Sequence, residues 1–410
     1  MSPHRHGEDP HRWMILAIMA VVFFITSVAQ FQLAGVAGSL GSRLHLDPMQ
    51  FAMCLFAPYL MNFVFGIPVG MTADRFGTRA VGSVLLVASS VGLIGRTYAA
   101  TGFASLFAWM LLFGFSMAFA NALGAKIVRT WFKPEHVPLA LGLLIACAGL
   151  GVGVGEATAP LMESLAGAFT LAWVLFAATT VWFLIGFRTK PAGQPDPPPQ
   201  RVLEFVGIAA RNRHVWVAGS AAFFLFAALA GAAGDLPGAL AHVQGVSPAE
   251  AGLVGLPFGF GGALGGFFVP VILRRRRGTR VWLGSITAVG AALVVASLVV
   301  PFGPMTWACA IVGAFLTSGT LTLIVALPVM LREIGTTYGG SAGGIVSLLQ
   351  TGGGFFVPTF AIALIAGPSP MATFAVIFAL YVIAALLVLA LPERGFHHTA
   401  AEPVGTVTPS

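Results

Sequence analysis

The chain has 410 residues, of which 57% are hydrophobic and only 9% are charged, and its formal net charge is +7. A soluble domain of this size cannot bury so much apolar surface, which excludes an ordinary soluble enzyme and indicates a protein of the lipid bilayer. The three cysteines lie in apolar segments without metal-ligand spacing, so neither a metal site nor a cofactor is predicted.

Twelve apolar segments are long enough to cross the hydrocarbon core as helices, which takes about 20 residues each. In chain order they are 13–37, 51–72, 80–100, 104–127, 138–162, 168–187, 216–241, 251–273, 281–303, 305–331, 341–366 and 372–392. The first is too long for the core of a signal peptide and is predicted to be an uncleaved membrane helix. The predicted fold class is an all-α polytopic membrane protein.

The longest polar stretch between these segments is proline-rich and basic, and it separates six predicted helices from six. The predicted organisation is an N-terminal tail (1–12), a six-helix bundle (13–187), a central loop (188–215), a second six-helix bundle (216–392) and a C-terminal tail (393–410). We expect a monomer.

The distribution of Lys and Arg predicts the orientation. If the N-terminus is cytoplasmic, all of these residues except Arg43 and Arg96 lie in cytoplasmic loops, tails or helix ends. The prediction is therefore an inner (plasma) membrane protein with both termini and the central loop in the cytoplasm. The run Arg274, Arg275, Arg276 and Arg277 is expected to meet anionic lipid headgroups.

A charged, glycine-punctuated segment follows the second predicted helix and reads Gly-Met-Thr-Ala-Asp-Arg-Phe-Gly-Thr-Arg over 70–79. A reduced copy, Arg-Arg-Arg-Arg-Gly-Thr-Arg over 274–280, occupies the equivalent place half a chain later. Arg275 there stands where Asp74 stands in the first copy. The repeat predicts a doubled six-helix unit.

Twelve helices in two sixes, a basic central loop and this segment together resemble the major facilitator superfamily. Its signature after helix two is roughly G-x-x-x-D-R-x-G-x-R, and the positions that match it here are Gly70, Asp74, Arg75, Gly77 and Arg79. The resemblance covers essentially the whole chain. It implies two pseudo-symmetric bundles that rock about a central site.

The resemblance also implies a conformational latch. Asp74 would cap the start of helix eleven near Gly339 and Gly340, and would pair with a basic residue after helix four, for which Arg129 is the candidate. Gly70 is expected to end helix two tightly and Gly77 to permit a backbone bend. The alternative is a plain basic loop on the cytoplasmic side.

Glycines four residues apart recur in helices two, five, eight and eleven, where such pairs let two helices pack closely. The pairs are Gly66 and Gly70, Gly149 and Gly153, Gly255 and Gly259, and Gly261 and Gly265. In the superfamily these four helices form the contact between the halves, so a moving seam is predicted. Ordinary tight packing without motion is the alternative.

Two carboxylates fall within predicted helices, Glu156 in helix five and Asp235 in helix seven. Because a charge inside the bilayer is costly, either acid is a candidate to carry a proton or to hold a cationic group of the solute. Arg96, near the outer end of helix three, is close enough to reach one of them. The alternatives are an outer salt bridge or carboxylates at the wet interface.

Neutral polar residues complete the predicted solute pathway. Helices one, four, seven and ten line the cavity in the superfamily, which favours Gln30, Asn121 and Thr317 together with Asp235. Tyr59, Asn62 and Gln350 are further candidates. Hydrogen bonds between helices are the alternative role for all of them.

The sequence predicts a secondary transporter of a small solute, with proton coupling, and leaves the solute open. Trp-Phe-Lys-Pro-Glu over 131–135 and Gly-Gly-Gly-Phe-Phe-Val-Pro over 352–358 resemble nitrate/nitrite, cyanate and oxalate/formate porters. Nitrate porters carry arginines within helices two and eight, whereas 51–70 and 251–273 contain none. A small-anion uniporter or exchanger is the first alternative.

Other classes are less compatible with the sequence. An ATP-driven pump is disfavoured because no phosphate-binding Gly-x-x-x-x-Gly-Lys-Ser/Thr loop is present. A membrane enzyme would need clustered His, Asp or Glu at a membrane face, and the histidines concentrate on the tails. A non-transporting receptor or scaffold remains the alternative of another class.

Overall fold

The computed structural model describes residues 10–133, 135–162, 164–191, 207, 210–273, 278–330, 335–367 and 369–391. Within these ranges, twelve helices are long and apolar enough to cross a membrane. They are α1 His11–Gly35, α2 Pro48–Phe76, α3 Thr78–Tyr98, α4 Phe103–Trp131, α5 Leu139–Thr158, α6 Leu165–Gly186, α7 Arg213–Gln244, α8 Pro248–Ile272, α9 Thr279–Val299, α10 Pro304–Leu327, α11 Ala342–Ala366 and α12 Pro370–Leu389.

The two sets of six helices have equivalent internal packing. In the first half α1 packs on α5, α2 on α4 and α3 on α6, and in the second half α7 packs on α11, α8 on α10 and α9 on α12. The halves meet where α5 packs on α8, α2 on α11 and α1 on α7. This is the predicted pair of pseudo-symmetric six-helix bundles.

Equivalent caps begin the equivalent helices α2 and α8. Asp47 and Gln50 form a capping box around Pro48, and Ser247 and Glu250 form one around Pro248. In each box the cap side chain accepts from the backbone N–H three residues on, while proline fits the first helical turn, where its missing N–H costs nothing. The repeat that the Gly-Thr-Arg motif indicates therefore extends back to the start of the helix that precedes each copy of the motif.

The two motif glycines both have a positive φ angle. Gly77 has φ 86° and Gly278 has φ 72°, values that a side chain would disfavour. The predicted bend at Gly77 is therefore present. The prediction that Gly70 ends helix two is wrong, because α2 continues through Asp74 to Phe76, and the motif is helical up to its second glycine.

The fifth and eleventh helices differ in regularity although they occupy equivalent places. The fifth runs as one α-helix, Val137–Thr158. The eleventh changes from α-helix to a π-helical turn at Val357–Ile362, with Pro358 in the first turn of this segment, and then ends in a short α-helix, Ala363–Ala366. A proline that removes one backbone N–H is a common origin of such a change in helix type.

The ends of the bundle are chemically distinct. Arg75, Arg79, Lys126 and Arg129 lie at the end where α2 and α4 finish, which we call the basic end. At the other end, which we call the far end, α2 and α8 begin and α5 finishes. The arginine run 274–277 and the tails 1–9 and 392–410 lie outside the described residues.

Candidate functional site

The contact between α2 and α11 is closed toward the far end. A methyl group added at Gly354 would meet the rings of Phe226 and Tyr59, and one at Gly352 would meet the ring of Phe63 at 3.1 Å. The rings of Phe63 and Phe356 also make an edge-to-face contact with centroids 5.5 Å apart. In this half of the bundle the two helices leave no room for a solute between them.

Toward the basic end the same two helices separate. A methyl group added at Gly70 of α2, or at Gly343 or Gly344 of α11, would meet no neighbouring atom within 4 Å. One at Gly66 would meet only the side chain of Asn62, on the same helix. Among the described residues, α2 and α11 are therefore in close contact toward the far end and apart at these glycines toward the basic end, which we call the open side.

The contact between α5 and α8 is closed throughout the region where glycines face each other. An added methyl at Gly149 would lie 3.0 Å from the carbonyl oxygen of Gly259, and one at Gly153 would collide with the backbone of Gly255. The predicted close packing of these two pairs is confirmed. Gly261 and Gly265, in contrast, face Ile311 and Phe315 of α10 within the same half, so this pair is not part of the contact between the halves.

Tyr59 lies at the boundary between the open and closed regions. Its ring makes an edge-to-face contact with Phe226 of α7, with centroids 5.1 Å apart, and packs against Gly354 of α11. The pair joins the two halves near the middle of α2. Phe226 was missed in the sequence, because one among 34 phenylalanines carries no signal of its own.

Three amide side chains lie close to Tyr59 in the helical register. Gln30 of α1 packs beside it and donates from Nε2 to the carbonyl oxygen of Leu55 at 3.1 Å, while its Oε1 has no hydrogen-bond partner. Asn62 follows Tyr59 by one turn. Gln350 precedes Gly354 by one turn, so it shares the face of α11 that meets Tyr59. Of the predicted pathway residues, Gln30 and Tyr59 are therefore in proximity, and helical register places Asn62 and Gln350 at a neighbouring level.

Two other predicted lining residues lie elsewhere. Thr317 is 0% exposed and its hydroxyl donates to the carbonyl oxygen of Gly313 at 2.9 Å, while its methyl group faces Gly290 of α9. Thr317 therefore packs inside the second half, and the prediction that it lines the cavity is wrong. Asn121 is exposed on α4, and no described contact connects it with Tyr59.

Glu156 is fully buried near the far end of α5. Its exposure is 0%, and neither carboxyl oxygen has a hydrogen-bond partner. An added methyl at Gly255 of α8 would collide with its carboxyl group, and one at Gly35 of α1 would collide with its backbone carbonyl. The side chain has its place because residue 255 is a glycine, and the backbone of α5 approaches α1 closely because residue 35 is a glycine.

Asp235 lies on α7, nine residues beyond Phe226 toward the far end, which is about 14 Å along a helix. Its side chain is half-buried. Both acids are thus on the closed side of the Tyr59–Phe226 contact. They do not belong to the open cavity at the basic end.

Arg96 binds neither acid. It is 1% exposed and donates to the carbonyl oxygen of Ala29 and, at 3.2 Å, to Oε1 of Gln32. Its guanidinium also lies 4.2 Å from the ring centroid of Phe169. The expectation that Arg96 reaches a carboxylate is wrong. Its charge is instead accommodated by a carbonyl group, an amide and an aromatic face inside the first half.

Within the predicted latch, Asp74 pairs with Lys126 of α4. The expected partner, Arg129, is exposed three residues later. The assignment to Arg129 is wrong because Asp74 lies level with Lys126, which precedes Arg129 by nearly one turn on the same face of α4. Arg79 donates to the carbonyl oxygen of Leu184 at 2.7 Å. The surroundings of Gly339 and Gly340, near which Asp74 is expected to cap helix eleven, lie outside the description.

Comparisons with known proteins agree with this architecture. The model of the Major Facilitator Superfamily matches residues 16–358. A bacterial homologue of the human lysosomal transporter Spinster superposes with a TM-score of 0.74 in its inward-facing, unoccupied conformation, at 17% identity over 96% of this chain and 100% of that one. Its occupied form gives a TM-score of 0.69, at 16% identity over 95% of each chain.

Sequence relatives belong to one functional group. The nitrate/nitrite transporter NrtP of Nostoc punctiforme is 29% identical over 37% of this chain, but the match spans only 30% of that protein's length. The probable nitrate/nitrite transporter NarK2 of Mycobacterium tuberculosis is 25% identical over 81% of this chain and 85% of its own. The family match covers well over half of the chain, and the protein therefore belongs to the major facilitator superfamily.

Proposed function

We propose that the protein is a secondary transporter that moves a small solute across the inner membrane by alternating access, with its basic end in the cytoplasm. The observation that carries this proposal is the Tyr59–Phe226 contact. This contact joins the two halves at the level where the open side, toward the basic end, meets the closed side, toward the far end. A carrier needs a site that one side reaches at a time.

The residues around Tyr59 favour a neutral or weakly charged polar solute. Gln30, Asn62 and Gln350 offer amide donors and acceptors, and Tyr59 and Phe226 offer aromatic surface. Among the described residues of α2 and α8, the charged side chains are Asp74, Arg75 and Glu250, which lie at helix ends far from Tyr59. A solute with a full charge would therefore lack a counter-charge at this level.

Proton coupling completes the proposal. Glu156 and Asp235 are the carboxyl groups in the interior of the described helices on the closed side, whereas Asp47 and Glu250 lie at helix starts, and each of the two is placed where motion of the halves would change its access to water. Inward proton movement would then supply the free energy for transport. If the proton and the solute bind together, they move in the same direction. If they bind in turn, they move in opposite directions.

The test is counterflow in proteoliposomes that contain the full chain. A panel of labelled neutral, cationic and anionic solutes is offered with and without a pH gradient. We expect exchange of at least one neutral or weakly charged solute, accelerated by the gradient. Asn62→Ala should weaken it, whereas Ser83→Ala, which removes an exposed hydroxyl on α3 bonded to its own helix, should not. Absence of exchange for every solute would favour a receptor or scaffold.

Nitrate or nitrite transport is the second candidate, because both sequence relatives carry that description. Against it, α2 and α8 present no arginine near Tyr59, and Arg96 is already engaged by Ala29 and Gln32. Including nitrate, nitrite, cyanate, formate and oxalate in the same panel decides between the candidates. Counterflow of one of these anions, without acceleration by a pH gradient, would replace the proton-coupled proposal.

A further inference from the structure

We infer that Glu156 is a proton-binding site loaded from the far end, and that its proton is required for α5 and α8 to close there. The inference rests on the proposed alternating access and adds which acid binds the proton, from which side, and what the proton does. Three observations carry it: the glycine contacts of the carboxyl group, its lack of any partner, and its position across the boundary between the halves.

The first observation is steric. The carboxyl group of Glu156 occupies the space that a side chain at Gly255 would need, and a methyl at Gly252 would lie 2.7 Å from the carbonyl oxygen of Glu156 and 3.0 Å from Pro160. This fit leaves no volume for water beside the carboxyl group, which is 0% exposed. Closure at this level therefore removes the hydration shell of the side chain.

The second observation is electrostatic. The charged or titratable groups on the elements around Glu156 are Arg43 after α1, which is exposed, and Glu250 of α8, which is exposed and bonded to Ser247. On α7, Asp235 is half-buried and His242 is exposed. Glu163 lies outside the described residues. Neither carboxyl oxygen of Glu156 has a hydrogen-bond partner, so the closed arrangement holds the group at least cost when it is neutral.

The third observation is the position of the contact. Gly35 belongs to the same half as Glu156, whereas Gly252 and Gly255 belong to the other half. A movement that separates the halves at the far end must withdraw α8 from the carboxyl group and admit water to it. The group then exchanges protons with the outer compartment.

The experiment measures closure directly by spin-label distances. Cysteines are placed at Arg43, after α1, and at Val243, at the end of α7, which are exposed positions of different halves at the far end, with Cys54, Cys147 and Cys309 replaced by alanine. We expect two distances between the labels, and the fraction of molecules with the shorter distance should increase as the pH falls. Glu156→Gln should show the shorter distance at every pH, and Glu250→Gln, a neighbouring exposed carboxylate, should behave like the parent.

Unchanged pH dependence in Glu156→Gln would overturn the inference while leaving alternating access intact. A single distance under all conditions, with and without a transported solute, would overturn alternating access and the inference together. A second measurement covers a variant that fails to fold. The infrared band of a protonated carboxyl group should appear in the parent as the shorter distance forms and should shift when glutamate is labelled with carbon-13. A closed parent without this band would also refute the inference.

Discussion

Asp74 pairs with Lys126 inside its own half, although the motif to which it belongs lies where α2 faces the open side of the contact with α11. The two side chains are 20% and 30% exposed. The salt bridge therefore holds α2 to α4 in a conformation where the other half is withdrawn.

The first prediction concerns this pair. Asp74→Asn removes both the Lys126 contact and any contact with α11 in the opposite conformation, whereas Lys126→Gln removes only the first. Partly exposed pairs contribute about 0.2–1 kcal/mol, so we expect Lys126→Gln to favour closure at the basic end by up to about fivefold. Spin labels at Thr72 and Ser347 measure it. Equal effects of the two substitutions would show that Asp74 has no second partner.

The second prediction concerns the buried cation. Arg96→Ala removes the side-chain donor from the Ala29 carbonyl and from Oε1 of Gln32. The ammonium group of Arg96→Lys cannot reach both acceptors and the Phe169 ring in one geometry. Phe169→Leu should cost about 1–2 kcal/mol through the lost cation–π contact. Thermal unfolding of the single and double variants measures the coupling. Independent, additive effects of Arg96→Ala and Phe169→Leu would contradict the contact.

The third prediction uses two glycines with opposite surroundings. Gly153→Ala inserts a methyl group into the backbone of α8 and should destabilise this conformation, whereas Gly344→Ala meets open space and should stabilise its helix by about 1 kcal/mol. If α2 and α11 close at the basic end during transport, Gly344→Ala should also slow solute exchange. Faster unfolding with unchanged exchange in Gly344→Ala would contradict this expectation.

The fourth prediction separates the solute pathway from its surroundings. Asn62→Ala should raise the KM for solute by about three- to tenfold, the equivalent of one or two hydrogen bonds. Thr317→Val should leave KM unchanged, because its hydroxyl bonds to its own helix and its methyl group packs on α9. Concentration dependence of uptake measures both. A larger effect of Thr317→Val than of Asn62→Ala would place the solute in the second half.

Helix number and the doubled architecture could be predicted from the sequence because they depend on hydrophobic length and on a repeated motif. Helix rotation could not, since a uniformly apolar helix carries no periodic signal for its buried face. Gly149 and Gly153 face α8, while Gly151 and Gly155 on the same helix face α1. The burial of Thr317 arises from the same missing angle. The wrong choice of Arg129 over Lys126 arises from an unknown level along the helix axis, since the two residues share a face of α4.

The residues at which the helices begin and end could not be predicted from the hydrophobic pattern alone either. The second helix extends to Pro48–Phe76, past the predicted 51–72, because the Asp47 cap adds a turn at its start and the charged motif itself is helical. The sequence did contain a signal for these helix starts, since Asp47 and Ser247 are each followed directly by a proline. The extension of the second helix beyond residue 72 could not be predicted, because the motif is polar. Hydropathy indicates which residues lie in the hydrocarbon core, and a helix can continue beyond that core.

The π-helical turn at Val357–Ile362 makes the two six-helix halves mechanically different, although they share one topology. The fifth helix is a continuous α-helix, whereas its counterpart is interrupted by the π-helical turn near the far end, beside the contact of Ile362 with Gly231 of α7. An uninterrupted helix moves as one unit, whereas a π-helical turn is a point at which a helix can bend. Opening toward one compartment should therefore proceed by tilting and toward the other by bending, so the two gates would have different intrinsic speeds even in the absence of solute.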